Sequence, residues 1–413
     1  MQRQAICVVG GTYIESCALP YWYETYGSGG RAVSALLSLG CHVDFHTYLN
    51  NETQAVINAR SIAYKNKLNI NAKFIEHSVA FDYLHPLGHP MVSGILNNLE
   101  PITINDTTTN FLIFGMLEAN AIIHGNRVVY DPQHPDAPQL FTENGSTAEQ
   151  LAIVLNSFEA QRLLPTDTSA QGIDALGYNL LQHAEVVIIK LGAEGVAIFD
   201  KSLDEPHYIP CYHTATVWKI GTGDVFSASF AYAWLIKELN AVQAAQFAAK
   251  ATAYYAQTQG FASESLVNNL SYPTVSLQLP KTIYLAGPFF NLSQLWLINE
   301  CRRNLYEFGF SVFSPYHDIG MGSAEQVVSK DLAAIERCDL LFALLDDMDP
   351  GTLFEIGYAK AKGKIVIIYT SQTNDEALKM MRGSQCLIFD DLTTAIYHCL
   401  LYTSDAADEE DSV

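Results

Sequence analysis

Positive charge is scarce in this chain of 413 residues: 23 Lys and Arg face 44 Asp and Glu, for a formal net charge of −21 at pH 7. A protein of that sign repels phosphate backbones, so no nucleic-acid partner is expected. A small anion is another matter, because a local ring of backbone N–H groups can hold one inside an acidic protein. Charged residues of both signs make up only 16% of the chain against 49% hydrophobic ones, which excludes a disordered polymer and describes a packed globular protein. Long apolar runs are missing as well. Val186 to Ile189 and Ile365 to Tyr369 are of strand length, far short of a membrane span. The opening Met1-Gln-Arg-Gln and the short run Ala5 to Val9 lack the apolar core of a signal peptide. Eight cysteines occur without any C-x-x-C pair, so reduced thiols are expected rather than zinc ligands. His85, His89, His124 and His134 show no H-E-x-x-H or similar spacing and predict ordinary core or surface roles. A soluble, cytoplasmic protein is the expectation, with no membrane partner.

What is present is an alternation of short β-rich runs with helix-period segments, the pattern of α/β folds with a mainly parallel sheet. The length fits two domains. In the first, Ile6 to Val9 predicts a strand ending in Gly10-Gly11, and Ala32 to Leu39 a helix opened by Gly27, Gly29 and Gly30. Val225 to Leu239 predicts one long helix after Gly221-Thr222-Gly223-Asp224, and Ala241 to Gln257 a second. Residues 263–280, rich in Ser, Asn and Pro, predict a linker. A second α/β pattern restarts at Lys281, giving domains at 1–262 and 281–398. Residues 399–413 predict an acidic tail. The run Cys399 to Glu409 also resembles the in-frame translation of a transposon mosaic-end sequencing adaptor, which would put the natural end near His398.

In the second domain the strand Thr282 to Ala286 runs into Gly287-Pro288, and the strand Leu340 to Leu345 into Asp346-Asp347-Met348-Asp349-Pro350-Gly351-Thr352. Carboxyl ends of strands are where open α/β sheets bind ligands. A helix is expected from about Leu353, with Glu355 in its first turn, kept ionised by the macrodipole. Asp331 and Asp339 are expected to flank another helix. Several carboxylates at one cleft suit glycosyl transfer, with one attacking the anomeric carbon and another protonating the leaving group. In the first domain, Gly221-Thr222-Gly223-Asp224 aims backbone N–H groups into a helix start, a place for the charge of a transferred phosphoryl group. Asp224 there can accept a hydroxyl proton. No G-x-x-x-x-G-K-[ST] occurs, so this is not a P-loop.

The order Tyr284-Leu-Ala-Gly-Pro-Phe-Phe, Asp331-Leu-Ala-Ala-Ile-Glu-Arg-Cys-Asp339, Asp349-Pro-Gly-Thr-Leu-Phe-Glu355-Ile-Gly-Tyr-Ala359 resembles nucleoside 2-deoxyribosyltransferases. That resemblance implies a Rossmann/flavodoxin-like α/β domain in which Glu355 is the nucleophile of a glycosyl-enzyme. It implies that Asp331 and Asp349 bind or protonate the base, that Tyr284 holds sugar and nucleophile, and that Gly287, Pro288, Gly351 and Thr352 line the nucleoside site. It implies no cofactor, and a homo-oligomer whose subunits complete one another's sites through Met380-Met381-Arg382-Gly383-Ser384. Transfer and hydrolysis both stay open. The first loop, Gly287-Pro-Phe-Phe-Asn291, lacks the glycine- and arginine-rich character of a branch that hydrolyses deoxynucleoside monophosphates, which leans towards transfer.

The first domain resembles the ribokinase-like (PfkB) carbohydrate and nucleoside kinases, through Gly29-Gly30, Asp131-Pro132-Gln133, Asn156-Ser-Phe-Glu159, Lys190-Leu-Gly192-Ala-Glu-Gly195 and Gly221-Thr222-Gly223-Asp224. It implies a three-layer α/β/α domain using ATP and Mg²⁺, with no direct protein ligand to the metal. Asp224 would be the base and Gly221, Thr222 and Gly223 the anion hole. Asn156, Glu159, Lys190, Gly192 and Gly195 would serve nucleotide and Mg²⁺. Glu15, Gly29, Gly30 and Arg31 would face the sugar. Departures fall at Glu15, where the family offers Asp, at Arg31, where it offers Asn, and at Trp218-Lys219-Ile220. Arg31 is open to a second role, greeting an anionic substrate. The expected function is a bifunctional salvage enzyme acting on small nucleosides, nucleotides or sugars. Two alternatives stay open: a nucleotide sensor whose kinase-like half controls an N-glycosidase, and a carbohydrate kinase with an inert second module.

Overall fold

A computed structural model describes residues 5–64, 67–96, 99–134, 137–164, 172–275, 281–371 and 374–401. The chain divides into two compact units, Met1–Thr274 and Val275–Val413.

The first unit is built on a ten-stranded sheet. Its central strands Ala5–Val9, His42–Leu49, Phe111–Phe114, Ala121–Asp131, Thr147–Asn156 and Val186–Lys190 run parallel. Strands such as Val186–Lys190 are continuous apolar runs because helices cover both faces of a parallel sheet. Val196–Asp200 and His207–Ile209 finish that edge antiparallel. One face packs Ile6, Val8 and Ile188 under the helices Gly27–Ser38, Thr222–Ala231 and Ala241–Thr258. The other packs Val9, Ile153 and Val187 under Ala160, Leu176 and Leu180, which completes the three-layer arrangement. A small separate sheet, Trp22–Thr25, Ile14–Cys17, Ala80–Tyr83 and Met91–Ser93, carries Glu15.

The helix Gly27–Ser38 lies so close to the first strand's end that a Cβ on Gly29 would sit 2.7 Å from the carbonyl carbon of Gly10. A Gly29→Ala variant is therefore expected to lose about 1–3 kcal/mol of stability through overpacking, read as a lowered urea midpoint. The long helix expected over Val225 to Leu239 starts earlier, at Thr222, and its end is a π turn over Tyr232–Ile236. There Lys237 N–H donates to the Tyr232 carbonyl at 3.2 Å. The expected linker also differs at its start. Ser263 Oγ accepts from Leu266 N–H at 3.3 Å and caps a helix Glu264–Asn269, whose Val267 is buried in the first unit's core. Residues 276–280 lie outside the described residues.

The second unit is a five-stranded sheet in the order Ser311–Phe313, Thr282–Ala286, Leu340–Leu344, Ile365–Tyr369, Leu387–Phe389, all parallel. This is the flavodoxin-like 2-1-3-4-5 order, with its switch point between the first and third strands. Gly287 and Leu345 leave the sheet on either side of that crevice. The final helix, Leu392–Leu401, buries Cys399 and Leu400, so its last turn runs into the segment expected to be tail. Residues 402–413 lie outside the described residues. Among the described residues no helix is long and apolar enough to cross a membrane, and all eight cysteines are free thiols.

Candidate active sites

The second unit's crevice opens into a cavity of 430 Å³ lined by Gly287, Pro288, Asp331, Asp349, Gly351, Thr352 and Glu355. Asp349 is the N-cap of the helix Pro350–Ala361, its Oδ2 accepting from Thr352 N–H at 2.7 Å and from Thr352 Oγ1 at 2.9 Å. Proline at the first helical position costs no hydrogen bond. Because the helix starts at Pro350 and not at Leu353, Glu355 lies beyond the first turn, and the macrodipole argument for it fails. Its surroundings decide instead. Burial pushes the Glu355 carboxyl up to about 7, with a hydrogen bond from Tyr284 opposing and the charges of Asp331 and Asp349 adding to the rise. It is therefore poised near neutrality rather than held fully ionised.

Tyr284 is fully buried in the strand Thr282–Ala286 and reaches the site through its hydroxyl, which donates to Glu355 Oε1 at 2.6 Å. Burial and the Glu355 carboxylate push the tyrosine's own pKa up, so it stays a donor. Asp331 sits inside the helix Ala324–Arg337 rather than at its flank. Burial raises its pKa, and its Oδ1 is buried without a partner. Asp339 serves structure, its Oδ2 accepting from Thr282 N–H at 2.7 Å. Exposed Phe290 and Met321 also line the cavity, and among the described residues no Lys, Arg or His does.

The first unit holds a larger cavity of 530 Å³ reached by Glu15, Arg31, Asn156, Glu159, Lys190, Gly192, Gly195, Gly221, Thr222, Gly223 and Asp224. Gly221, at φ +78°, turns the chain into the helix Thr222–Ala231 and puts Asp224 in its first turn. Asn156 and Glu159 form a reciprocal cap, Asn156 Oδ1 accepting from Glu159 N–H and Glu159 Oε2 from Asn156 N–H, both at 2.8 Å. Burial, then the Asp131 charge, raises Glu159 to about 7. Lys190 Nζ pairs with Asp131 Oδ2 at 2.8 Å, and Ser227 Oγ donates to the same oxygen at 2.6 Å. Burial works against the lysine's charge, but Asp131 and Glu159 outweigh it and raise its pKa.

Gly29 and Gly30 do not reach this cavity. Gly29 N–H donates to the Gly11 carbonyl at 3.0 Å, so the first of the two glycines lets the helix approach a strand end. Trp22 packs against Tyr26, with ring centroids 6.4 Å apart, and against Trp218 at 5.1 Å. Arg31 lines the cavity with its guanidinium already paired. It pairs with Glu15 and donates to Asp224 Oδ2 at 2.7 Å.

Two lining residues had no assigned role. Gln133 donates to Asp224 Oδ1 at 2.7 Å, and its place in Asp131-Pro132-Gln133 was the available signal. Lys219 lines the cavity just ahead of the anion hole, where a lysine beside Gly-x-Gly-Asp was legible as a phosphate contact. The lining fits a magnesium nucleotide: Lys190 Nζ stands 3.5 Å from where a Gly223 Cβ would be, at a helix start. Among the described residues no three Asp, Glu, His or Cys side chains gather to hold a metal, so Mg²⁺ would be held by phosphate oxygens and water beside Asn156 and Glu159.

A family model described as pfkB family carbohydrate kinase matches residues 51–267, and one described as nucleoside 2-deoxyribosyltransferase matches residues 283–390. Among solved structures, ribokinase of Arabidopsis thaliana complexed with ribose and ATP is 14% identical, covering 65% of this chain and all of its own (100%), at a TM-score of 0.50. A nucleoside kinase of Methanocaldococcus jannaschii is 16% identical, covering 64% of this chain and 97% of its own, at 0.48. Ribokinase of Cryptococcus neoformans with ADP is 15% identical, covering 65% and 99%, at 0.48. At such identities the Arabidopsis likeness shows the fold of the first unit. None of the curated proteins matches the chain.

Proposed function

The chain belongs to the pfkB family of carbohydrate kinases and carries a nucleoside 2-deoxyribosyltransferase-like domain behind it, and from that premise we propose a bifunctional nucleoside or nucleotide salvage enzyme. The observation that carries the glycosidic half is the Tyr284–Glu355 hydrogen bond at 2.6 Å on a cavity shared with Asp331 and Asp349. Ionised Glu355 attacks the anomeric carbon and forms an ester as the base departs. Asp331 or Asp349, in its acid form, protonates the base. A second base or water then takes the sugar from Glu355. Tyr284, by donating, favours the carboxylate that attacks.

The cavity's lining favours an uncharged nucleoside. Three carboxylates and, among the described residues of one chain, no cation face it, so within one chain a 5'-phosphate meets repulsion. Chromatography of products from 2'-deoxynucleosides and their 5'-monophosphates, with and without an acceptor base, tests this. Nucleosides are expected to outrun the monophosphates by at least about tenfold in kcat/KM, the effect of ~1.4 kcal/mol. Equal rates would remove the electrostatic argument, and no free or exchanged base from any of them would remove the glycosidic reading. A homo-oligomer is part of the proposal, supported by exposed Phe290 and Met321 at the cavity's edge.

For the first unit the proposal is phosphoryl transfer from ATP with Mg²⁺ to a hydroxyl of a sugar or nucleoside. Asp224 is the base beside the backbone N–H groups of Gly221, Thr222 and Gly223. Bound Mg²⁺ would supply charge neutralisation at the phosphates. A second reading, in which the cleft binds nucleotide without turnover and governs the glycosidic half, is favoured by one observation: Asp224 is already paired with Arg31.

A further inference from the structure

Arg31 is 1% exposed and joins four separate elements. It projects from the helix Gly27–Ser38, pairs with Glu15 on the strand Ile14–Cys17, and reaches Asp224 in the helix Thr222–Ala231. Its Nη1 donates to Asp224 Oδ2 at 2.7 Å and to Glu15 Oε1 at 3.3 Å, its Nη2 to Glu15 Oε2, and its Nε to the Tyr255 hydroxyl at 3.1 Å. Tyr26 presents its ring 5.0 Å from the guanidinium. A Cβ on Gly221 would lie 2.1 Å from Nε, so the first residue of the anion hole is bare where the arginine crosses it. Every nitrogen of the side chain has a partner, which describes a built position and not a surface rotamer.

A hydroxyl can be phosphorylated only if it reaches the base oxygen with its own oxygen in line with the donor's phosphorus. Here Arg31 takes Asp224 Oδ2 and Gln133 takes Oδ1, and the guanidinium fills the space against Gly221. The phosphate end of the same cavity stays open and cationic. Lys190 Nζ lies 3.5 Å from where a Gly223 Cβ would be. Lys219 lines the cavity with no carboxylate in ion-pair reach among the described residues. Burial and the Lys190 charge press its pKa down, so an anion entering there relieves the charge of Lys219.

We propose that Arg31 occupies the acceptor subsite of the kinase-type cleft, so that the cleft takes up a magnesium nucleoside triphosphate and withholds transfer to a hydroxyl. This rests on the second reading above. The full chain is tested by titration calorimetry with MgATP and by acceptor-dependent ADP release with ribose, 2-deoxyribose and 2'-deoxynucleosides. Wild type is expected to bind MgATP and release no ADP above the acceptor-free background. Arg31→Asn is expected to raise acceptor-dependent release by at least about 100-fold, the lower range of a working general base. Arg31→Lys, which keeps charge but gives up the forked pairing with Glu15, is expected to fall between them and serves if the asparagine variant does not fold. Glycosidic activity and the unfolding midpoint of each sample report folding. Wild-type turnover that either variant lowers overturns the proposal and makes Arg31 part of a working kinase. Folded variants that bind MgATP and stay at background overturn it as well. If neither wild type nor variants bind MgATP, the nucleotide-cleft reading itself falls.

Discussion

Replacing Glu355 by alanine is expected to lower the rate of N-glycosidic cleavage by on the order of 10⁴-fold, because the residue argued to bond the sugar is gone and no neighbour can stand in. Asp331 and Asp349 share the cavity, but Asp349 is tied to Thr352 by two hydrogen bonds and Asp331 sits on another helix. Tyr284→Phe is expected to cost less, about 10- to 100-fold, the worth of one hydrogen bond to a charged group. The two variants also part on pH. With N7-methylated 2'-deoxyguanosine the base leaves without protonation, so the single-turnover rate follows Glu355 alone. It should rise tenfold per pH unit and level near 7, where burial puts that carboxyl. Without the Tyr284 hydroxyl, which opposes the rise, levelling should move to higher pH. A glycosidic rate that survives Glu355→Ala would assign the nucleophile elsewhere.

How far these sites were legible in the sequence depends on chain separation. A helix carrying Glu355 was legible after Asp349-Pro350-Gly351-Thr352, although it starts at Pro350 and not at Leu353. The protonation of Glu355 was not legible, since it is set by burial and by Tyr284, 71 positions away. Gly221-Thr222-Gly223-Asp224 likewise marks a helix start, yet the occupant of Asp224 comes from Arg31, 193 positions earlier. A lone arginine after two glycines looked available to an anion. Only packing shows it locked to Glu15, and shows Gly29 spent on close approach to Gly10 and Gly11. The Ser- and Asn-rich stretch after Ala262 misled for a related reason. Ser263 is a cap, and Val267 finds a core partner in tertiary contact that local composition does not report. Element type followed from periodicity for the strands and helices named above, while the π turn at Tyr232–Ile236 has no local signature.

Glu355→Gln should separate catalysis from stability. Burial raises the folded carboxyl from its ordinary 4.5 to about 7, so the fold binds the proton more tightly than the unfolded chain does. Stability from this group is therefore complete below about pH 4.5 and lost as pH rises to about 7, after which the loss is constant. At ~1.4 kcal/mol for each tenfold, that interval is worth about 3 kcal/mol, and partial solvent screening of the carboxyl reduces it to about 2 kcal/mol. Glutamine keeps an oxygen for Tyr284 and carries no charge. The variant should then lose glycosidic activity while its second unit unfolds about 2 kcal/mol later than wild type at pH 8 and no later at pH 4.5. Urea titrations at both pH values, following the transition of the second unit, check it. Equal stability at pH 8 would mean that Glu355 ionises in the fold without penalty, and the poised carboxyl would lose its basis. A gain confined to high pH would identify the charge that the site keeps at a cost, on the side chain where the chemistry needs it.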